Sequence, residues 1–223
     1  MSFIKIARLR KIMVFIGIAV FGVSIANAAV KEGVDYEVLK NPIPNAKNTL
    51  IEVYSYACPF CYKYTKVIPN LVKSLPSGVT FKPYHLEQKG DYGKIASQVL
   101  AVAMVQDSKA KISMFDSNGA FHKAESAYFD EYHAKKNRWG NGKDPESFLK
   151  TGLDSSGITK ADFEKALNDK AVQDLLKEWE ASYEVAKVQG VPAFVVNGKY
   201  LIYTKSITSM QDLQDKIKEL LKK

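Results

Sequence analysis

The sequence predicts an α/β fold in which an all-helical segment interrupts a central mixed β-sheet flanked by helices. Residues 49–84 have the pattern of a strand, a helix and a second strand, which is the crossover unit of a parallel sheet. Residues 91–188 have helical periodicity, and strand patterns resume only after residue 189. We therefore expect residues 29–90 and 189–223 to form one discontinuous domain, and residues 91–188 to form an inserted helical domain.

Residues 1–28 have the three parts of a secretory signal peptide. A basic head precedes an apolar run from Ile12 to Ile25, and Ala26-Asn27-Ala28 follows as the cleavage site. An uncleaved membrane anchor is the alternative, but the apolar run is shorter than the roughly 20 residues that a bilayer span needs. We expect cleavage after Ala28 and export of the remaining chain.

The composition is that of an ordinary globular protein. Of 223 residues, 46% are hydrophobic and 25% are charged, which argues against collagen, coiled coil and disorder. Removal of residues 1–28 takes away four basic and no acidic residues, so the formal net charge falls from +8 to +4. The chain has no zinc-finger spacing and no dense Lys/Arg cluster, so we expect no nucleic-acid binding. A weak preference for anionic proteins or membrane surfaces remains open.

The first strand-helix-strand unit is assigned as follows. Thr49–Tyr54 is rich in β-branched and aromatic residues and follows a turn-prone segment, which predicts a buried strand. Tyr62–Leu75 carries apolar residues at helical spacing and ends at Pro76-Ser77-Gly78. Val79–Tyr84 is the second predicted strand.

The remaining elements follow from the same signals. Gly190 ends the helical block, and Asn197-Gly198 is a strong hairpin turn signal. We predict helices at Ile95–Val105, Phe115–Tyr132, Thr159–Leu167 and in a segment ending near Val188, hairpin strands at Ala193–Val196 and Lys199–Tyr203, and a final amphipathic helix at Met210–Leu221.

Both cysteines of the chain, Cys58 and Cys61, lie where the first strand gives way to a helix. A zinc site would need two further ligands, and the three histidines are distant and have no paired spacing. A haem site would need a histidine where Tyr62 stands. A structural disulfide would close too small a loop to restrict the unfolded chain much. We favour redox chemistry, with no metal and no cofactor other than a Cys58–Cys61 disulfide, and keep the structural disulfide and zinc as alternatives.

The position of this motif favours a reactive Cys58. If Cys58 caps the helix and Pro59 occupies its first turn, the Cys58 sulfur faces free backbone N–H groups and the positive end of the helix dipole. We expect Cys58 to be the exposed sulfur that exchanges with substrates, and Cys61, one turn later, to be the partly shielded resolving thiol. Phe60 offers no polar hydrogen bond, which leaves the backbone amides and the dipole as the main stabilisers.

Two further segments are candidates for the site. Glu52 lies six residues before Cys58; on an edge strand it would face solvent, whereas in a central strand it would be a buried carboxylate able to exchange protons with Cys61. Val191-Pro192 precedes a predicted strand. A trans bond there would be unremarkable, whereas a cis bond would turn the Val191 backbone toward a groove where a partner chain could pair with it.

Three features occur in a fixed order: Glu52-Val-Tyr-Ser-Tyr-Ala-Cys-Pro-Phe-Cys-Tyr62, the helical insertion, and Gly190-Val-Pro-Ala-Phe-Val-Val-Asn-Gly198. This order resembles the DsbA family of bacterial periplasmic thiol:disulfide oxidoreductases. The resemblance implies a thioredoxin fold with an inserted helical domain and catalytic cysteines at Cys58 and Cys61. It also implies a cis-proline at Pro192, a buried acid at Glu52, and a lysine, Lys82, paired with that acid.

Two departures refine the resemblance. Phe60 stands where the best-known members have His, a pattern that, with a basic mature chain, is similar to the DsbL branch. Thr65 stands where family members often place a second acid, which leaves fewer carboxylates near the thiolate.

The resemblance implies a monomeric periplasmic dithiol oxidase. Such a protein passes its disulfide to cysteines of exported proteins through a mixed disulfide at Cys58, and a DsbB- or DsbI-like membrane quinone reductase reoxidises it. Two alternatives stay open. One is a disulfide isomerase or reductase, and the other is a peptide-binding adaptor or chaperone whose Cys-x-x-Cys is structural.

Overall fold

The computed structural model describes residues 29–223, so the predicted signal peptide lies outside the described residues. The strands of this part form one mixed sheet in the order β1-β5-β4-β2-β3. β2 and β3 are parallel, as the crossover pattern predicts, and the other neighbouring pairs are antiparallel. The strands are β1 (Tyr36–Val38), β2 (Thr49–Tyr54), β3 (Thr80–His85), β4 (Ala193–Val196) and β5 (Tyr200–Ile202).

The helices lie between and after these strands, and none of those in residues 29–223 is both long and apolar enough to span a membrane. α4 continues directly into a π-helical turn, Asp130–Ala134. The helices are α1 (Pro59–Tyr64), α2 (Ile68–Lys73), α3 (Gly93–Lys109), α4 (Ala120–Phe129), α5 (Trp139–Gly142), α6 (Pro145–Ser156), α7 (Lys160–Ala166), α8 (Lys170–Trp179), α9 (Ala181–Gln189) and α10 (Met210–Leu221).

The predicted helix Tyr62–Leu75 is two helices, α1 and α2, with a break between them. Pro69 explains the break. It lacks the N–H that would bond to the carbonyl of Thr65, and its ring would clash with that carbonyl in a continuous helix. The redox motif therefore lies on a helix of its own, with Cys58 at one end and Thr65 at the other.

β2 is a central strand, because it pairs with β3 on one side and with β4 on the other. All six of its residues are buried. This settles the open question about Glu52, which faces the protein interior with 6% of its surface exposed.

The inserted helices share one hydrophobic core with the sheet. Ile51 and Val53 of β2 belong to the same buried cluster as side chains of α3, α4 and α6. α9, which the sequence assigns to the insertion, packs against β2 and β4. By these contacts the helix belongs with the sheet, because its buried face covers the central strands.

An aromatic cluster ties the insertion to the segment before the cysteines. Tyr56 lies 5.1 Å from Phe148 and 6.0 Å from Tyr128, between ring centroids. Phe148 and Tyr128 are themselves stacked at 4.3 Å. Because Tyr56 is only two residues before Cys58, the position of the insertion determines the position of the redox motif.

We predict that Gly152→Ala destabilises the protein. A Cβ at Gly152 would overlap the hydroxyl of the buried Tyr128 and press on Val99. Overpacking of this kind costs about 1–3 kcal/mol, more than the roughly 0.5–1 kcal/mol that alanine gains over glycine in a helix. Urea denaturation gives the change in the free energy of unfolding.

The control for this prediction is Tyr128→Phe. The Tyr128 hydroxyl is buried without a hydrogen-bond partner within residues 29–223, so its removal alone should change stability little. In the double variant it should restore only part of the loss, because the ring carbon Cζ of residue 128 would still lie 2.5 Å from the added Cβ. Equal stability of Gly152→Ala and the wild type would show that this contact does not restrict the core.

Candidate active site

Cys58 occupies the N-cap of α1, as its position before Pro59 predicts. The backbone N–H of Cys61 donates a hydrogen bond to the Cys58 sulfur at 3.2 Å. Pro59 fills the first turn, where no hydrogen-bond donor is required. The free N–H groups and the positive end of the helix dipole therefore converge on this sulfur and stabilise negative charge there.

The prediction that Cys58 is the exposed sulfur is wrong for this state. Only 1% of the Cys58 surface is accessible, as little as for Cys61. The capping position turns its side chain inward, where Tyr54 and Phe129 form a small cluster with the two cysteines. The surface of the motif is instead Phe60, which is 60% exposed.

The pKa of Cys58 is lowered from its ordinary value of 9.0 to about 7. The largest cause is a hydrogen bond from the thiol of Cys61. The backbone N–H groups of Cys61 and Phe60 and the positive charge of Lys89 lower the pKa further, whereas burial opposes them. The sequence indicated the backbone as the main stabiliser, but the neighbouring thiol has the larger effect. About half of Cys58 is thiolate at neutral pH, against about 1% for an unperturbed cysteine.

Cys61 has the opposite environment, although it lies only one turn away. Burial raises the pKa of its thiol strongly, and the hydrogen bond to Cys58 and the charge on that sulfur raise it further. Both cysteines are free thiols in this structure. At neutral pH about half of the molecules therefore hold one thiolate and one thiol, with the charge on Cys58, and in the rest both cysteines are thiols.

Val191 and Pro192 lie beside the Cys58 sulfur. The peptide bond between them is cis, as the resemblance implies. The Cys58 thiol donates a hydrogen bond to the carbonyl oxygen of Val191 at 3.2 Å. Pro192 is buried and Val191 is partly exposed, so a molecule that reaches the sulfur along this side meets the Val191 backbone.

Glu52 is a buried acid close to the cysteines. It lines a cavity of about 150 Å³ together with Cys61 and Tyr54. Burial raises the pKa of Glu52 well above its usual range, and the charges of Glu125 and Cys58 raise it further. Burial thus favours the protonated form of this carboxyl, which lines the same cavity as Cys61.

The predicted pairing of Lys82 with Glu52 is wrong. Lys82 lies beside Ile51 in the parallel register, and Glu52 lies beside Pro83, so the two side chains are on opposite faces of the sheet. Lys82 instead forms a salt bridge of 2.5 Å with Glu178 of α8, which also accepts a hydrogen bond from Tyr84. Lys82 therefore does not hold the charged form of Glu52.

The sequence did not indicate Glu125 or Lys89 as members of the site. Glu125 lies on α4, 64 positions after Cys61, and reaches the cavity only because the insertion folds over the sheet. A helical acid on a half-buried face was the only available signal. Lys89 follows β3, and its charge acts on Cys58 although nothing in its sequence context distinguishes it from other lysines.

The π-helical turn after α4 holds the active-site helix in place. The ring of His133 stacks on Tyr62 at 5.0 Å, and its Nε2 lies 2.8 Å from the carbonyl oxygen of Tyr56. The Tyr62 hydroxyl donates to Asp130 at 3.0 Å. The extra residue of a π-helical turn redirects these side chains toward the residues on both sides of the redox motif.

Comparisons with known proteins agree with this geometry. A family model described as a DSBA-like thioredoxin domain matches residues 49–218. The thiol:disulfide interchange protein DsbL of Escherichia coli O6:H1 is 57% identical over 206 residues, which are 92% of this chain and 93% of that protein. The thiol:disulfide interchange protein DsbA of Dickeya dadantii is 29% identical over 210 residues, 92% of each chain.

Solved structures show the same relationship. DsbL of Salmonella enterica serovar Typhimurium matches with a TM-score of 0.82 and 56% identity, over 88% of this chain and 99% of that one. A structure of reduced DsbL matches with a TM-score of 0.81 and 57% identity, over 87% of this chain and 100% of that one. The thioredoxin fold and the similarity to the DsbL branch are therefore confirmed. The chain is a thiol:disulfide oxidoreductase and belongs to the DSBA-like thioredoxin domain family.

Proposed function

We propose that the protein is a periplasmic dithiol oxidase. It donates its Cys58–Cys61 disulfide to cysteines of exported proteins, and a DsbB- or DsbI-like membrane quinone reductase reoxidises it. Residues 1–28 act as a signal peptide that is removed after Ala28. The protein acts as a monomer, and its own disulfide is its only redox group.

The observation that carries this proposal is the contrast between the two sulfurs. The pKa of Cys58 is lowered to about 7, whereas burial raises that of Cys61 strongly. A stabilised thiolate favours the reduced protein, so the oxidised protein tends to give its disulfide away. A low-pKa thiol is also the better leaving group, which favours departure of Cys58 from a mixed disulfide.

Oxidation of a substrate takes two exchange steps. A substrate thiolate attacks the Cys58 sulfur, the Cys58–Cys61 bond breaks, and Cys61 leaves with the electron pair and takes up a proton. A second substrate thiolate then attacks the substrate sulfur of the mixed disulfide, and Cys58 leaves as a thiolate. The substrate cysteines lose two electrons, and the two protein cysteines gain them.

Reoxidation reverses the roles. The Cys58 thiolate attacks a disulfide of the membrane partner, which breaks and releases one partner sulfur as a thiolate. Cys61 then loses its proton and attacks Cys58, the mixed disulfide breaks, and the second partner sulfur leaves, so the partner's cysteines gain the two electrons. Glu52 is the acid that gives a proton to Cys61 in the first direction and accepts one in the second, because it lines the same cavity. This role does not require the lysine that the sequence indicated.

Val191 is the substrate-binding position. Its carbonyl lies 3.2 Å from the Cys58 sulfur, and the residue is partly exposed beside the buried Pro192. A substrate segment that pairs with the Val191 backbone brings its cysteine next to Cys58. The exposed ring of Phe60 offers an apolar contact on the same motif.

Equilibration of the mature protein with reduced and oxidised glutathione tests the oxidase proposal. We expect a reduction potential well above the roughly −270 mV of thioredoxin, and rapid oxidation of a reduced model substrate. A potential near the thioredoxin value would favour a reductase. Failure to oxidise the model substrate, with partner binding that survives Cys58→Ser, would favour the adaptor.

We predict that Cys61→Ser traps substrates in the periplasm. Without the resolving thiol, a mixed disulfide at Cys58 cannot be released by ring closure, so thiol-sensitive adducts should accumulate on a non-reducing gel. Mass spectrometry of the adducts identifies both the captured proteins and the linked sulfur. Cys58→Ser is the control and should form none; adducts through Cys61 in that variant would reverse the two roles.

We predict that the ultraviolet absorbance of the Cys58 thiolate titrates with a midpoint near pH 7. The pKa is lower in the folded reduced protein than in the unfolded chain, so the thiolate stabilises the fold in full above about pH 9 and loses this effect as the pH falls through 7. Thermal unfolding of the reduced protein should show the same dependence.

Lys89→Met tests the electrostatic part of this prediction. The Lys89 charge is the weakest of the named causes of the lowered Cys58 pKa. Its loss should therefore raise the midpoint of the Cys58 titration by less than about 0.5 pH units. Lys94→Met, which removes an equal charge from an exposed position, should leave the midpoint unchanged. Equal shifts in the two variants would show that Lys89 has no specific effect.

A further inference from the structure

The cavity beside the redox pair joins the sheet, the active-site helix and the inserted helices. Glu52 and Tyr54 line it from β2, Cys61 from α1, and Glu125 from α4. Its wall also includes the exposed Lys66, between α1 and α2, and the half-buried His122 of α4, so it reaches the surface on that side. These six are the titratable groups that face it.

The two carboxyl groups of this cavity are not held by cations. Within residues 29–223, no salt bridge includes Glu52 or Glu125. The Tyr54 hydroxyl is also buried without a hydrogen-bond partner in this part of the chain. Two carboxyl groups without a cation partner and an unpaired buried hydroxyl around one small cavity indicate a functional constraint, because such groups destabilise a fold.

Glu125 titrates in the neutral range. Burial raises the pKa of Glu125 to about 7, although the nearby Tyr54 hydroxyl lowers it somewhat. Burial, followed by the charge of Glu125, raises the pKa of Glu52. Glu125 is thus close to half-protonated at neutral pH, where a group can both donate and accept a proton.

The proposed exchange reaction requires such a group. Cys61 must gain a proton when it leaves the disulfide and lose one when it closes it again. It is 1% exposed, so solvent does not reach it directly. Glu52 can serve Cys61, but Glu52 is itself only 6% exposed and needs a route for its own proton.

We propose that Glu125 is a relay residue that carries the proton of Cys61 between Glu52 and solvent, through the cavity that ends beside Lys66 and His122. The inserted helices thereby take part in the exchange reaction. This inference rests on one part of the proposed function, which is that Cys61 gains and loses a proton during exchange. Glu125 acts through Glu52, not on the sulfur.

Ring closure in the mature protein isolates this proton transfer. Reduced protein is mixed with excess oxidised glutathione in a stopped-flow fluorimeter, and the slow phase that does not depend on glutathione concentration reports attack of Cys61 on the mixed disulfide. Cys58 is already bonded to glutathione in this phase, so its own titration does not contribute. For the wild type, a plot of the ring-closure rate against pH should bend near pH 7.

Glu125→Gln should remove this bend and slow closure about 10-fold at neutral pH, because the amide cannot accept the proton. Glu125→Asp should retain a bend and recover most of the rate. The first, glutathione-dependent phase should change by less than about 2-fold, since it depends on Cys58. Glu164→Gln, an exposed acid of α7, is the matched control and should leave both phases unchanged.

A Glu125→Gln profile that superimposes on that of the wild type would overturn the proposal. Equal slowing by Glu125→Gln and Glu125→Asp, with the bend in place, would also overturn it and assign Glu125 a packing role. The measurement does not depend on which direction the protein favours. If the glutathione equilibrium contradicts the oxidase, ring closure still decides the role of Glu125.

Discussion

The structure of the site depends on one interaction, the capping of a short helix by a sulfur. Cys58 accepts the N–H of Cys61, and Pro59 leaves the first turn without competing donors on that side. The helix therefore begins where negative charge is most stable. The thiol of Cys61 lowers the pKa of Cys58 more than any other single group, because the same turn that creates the cap brings the second sulfur close to the first.

A second constraint is the burial of the groups around the Cys58 sulfur. The cap hides Cys58 as well as Cys61, so a molecule that reaches this sulfur meets the partly exposed Val191 backbone and not a protruding thiol. Burial raises the pKa of Cys61, and it also raises that of Glu52 in the central strand. Negative charge is therefore favoured on Cys58 alone, while burial favours the protonated forms of Glu52 and of Cys61, the thiol that must exchange its proton.

The inserted helices position this chemistry as well as covering it. Stacking of His133 on Tyr62, together with its contact to the Tyr56 carbonyl, fixes the chain on both sides of the cysteines. Tyr56 is fixed again by the aromatic cluster around Phe148. Because the insertion and the sheet share a core, a change in the packing of one moves the other. The same packing carries Glu125 to the redox pair.

The sequence alone determined what depends on neighbours along the chain: the strand Thr49–Tyr54, the helix Met210–Leu221 and the N-cap at Cys58 all lie where local patterns predict them. It did not determine which face of a strand meets which helix. The family resemblance paired Lys82 with Glu52, yet the parallel register turns Lys82 to the other face of the sheet, toward α8. Glu125 gave only a weak local signal, an acid on a half-buried helix face, since its place in the cavity arises only when a distant helix packs over the sheet. Local hydrogen bonding and periodicity act within a few residues, whereas burial, and with it the raised pKa values of Cys61, Glu52 and Glu125, depends on the packed tertiary structure.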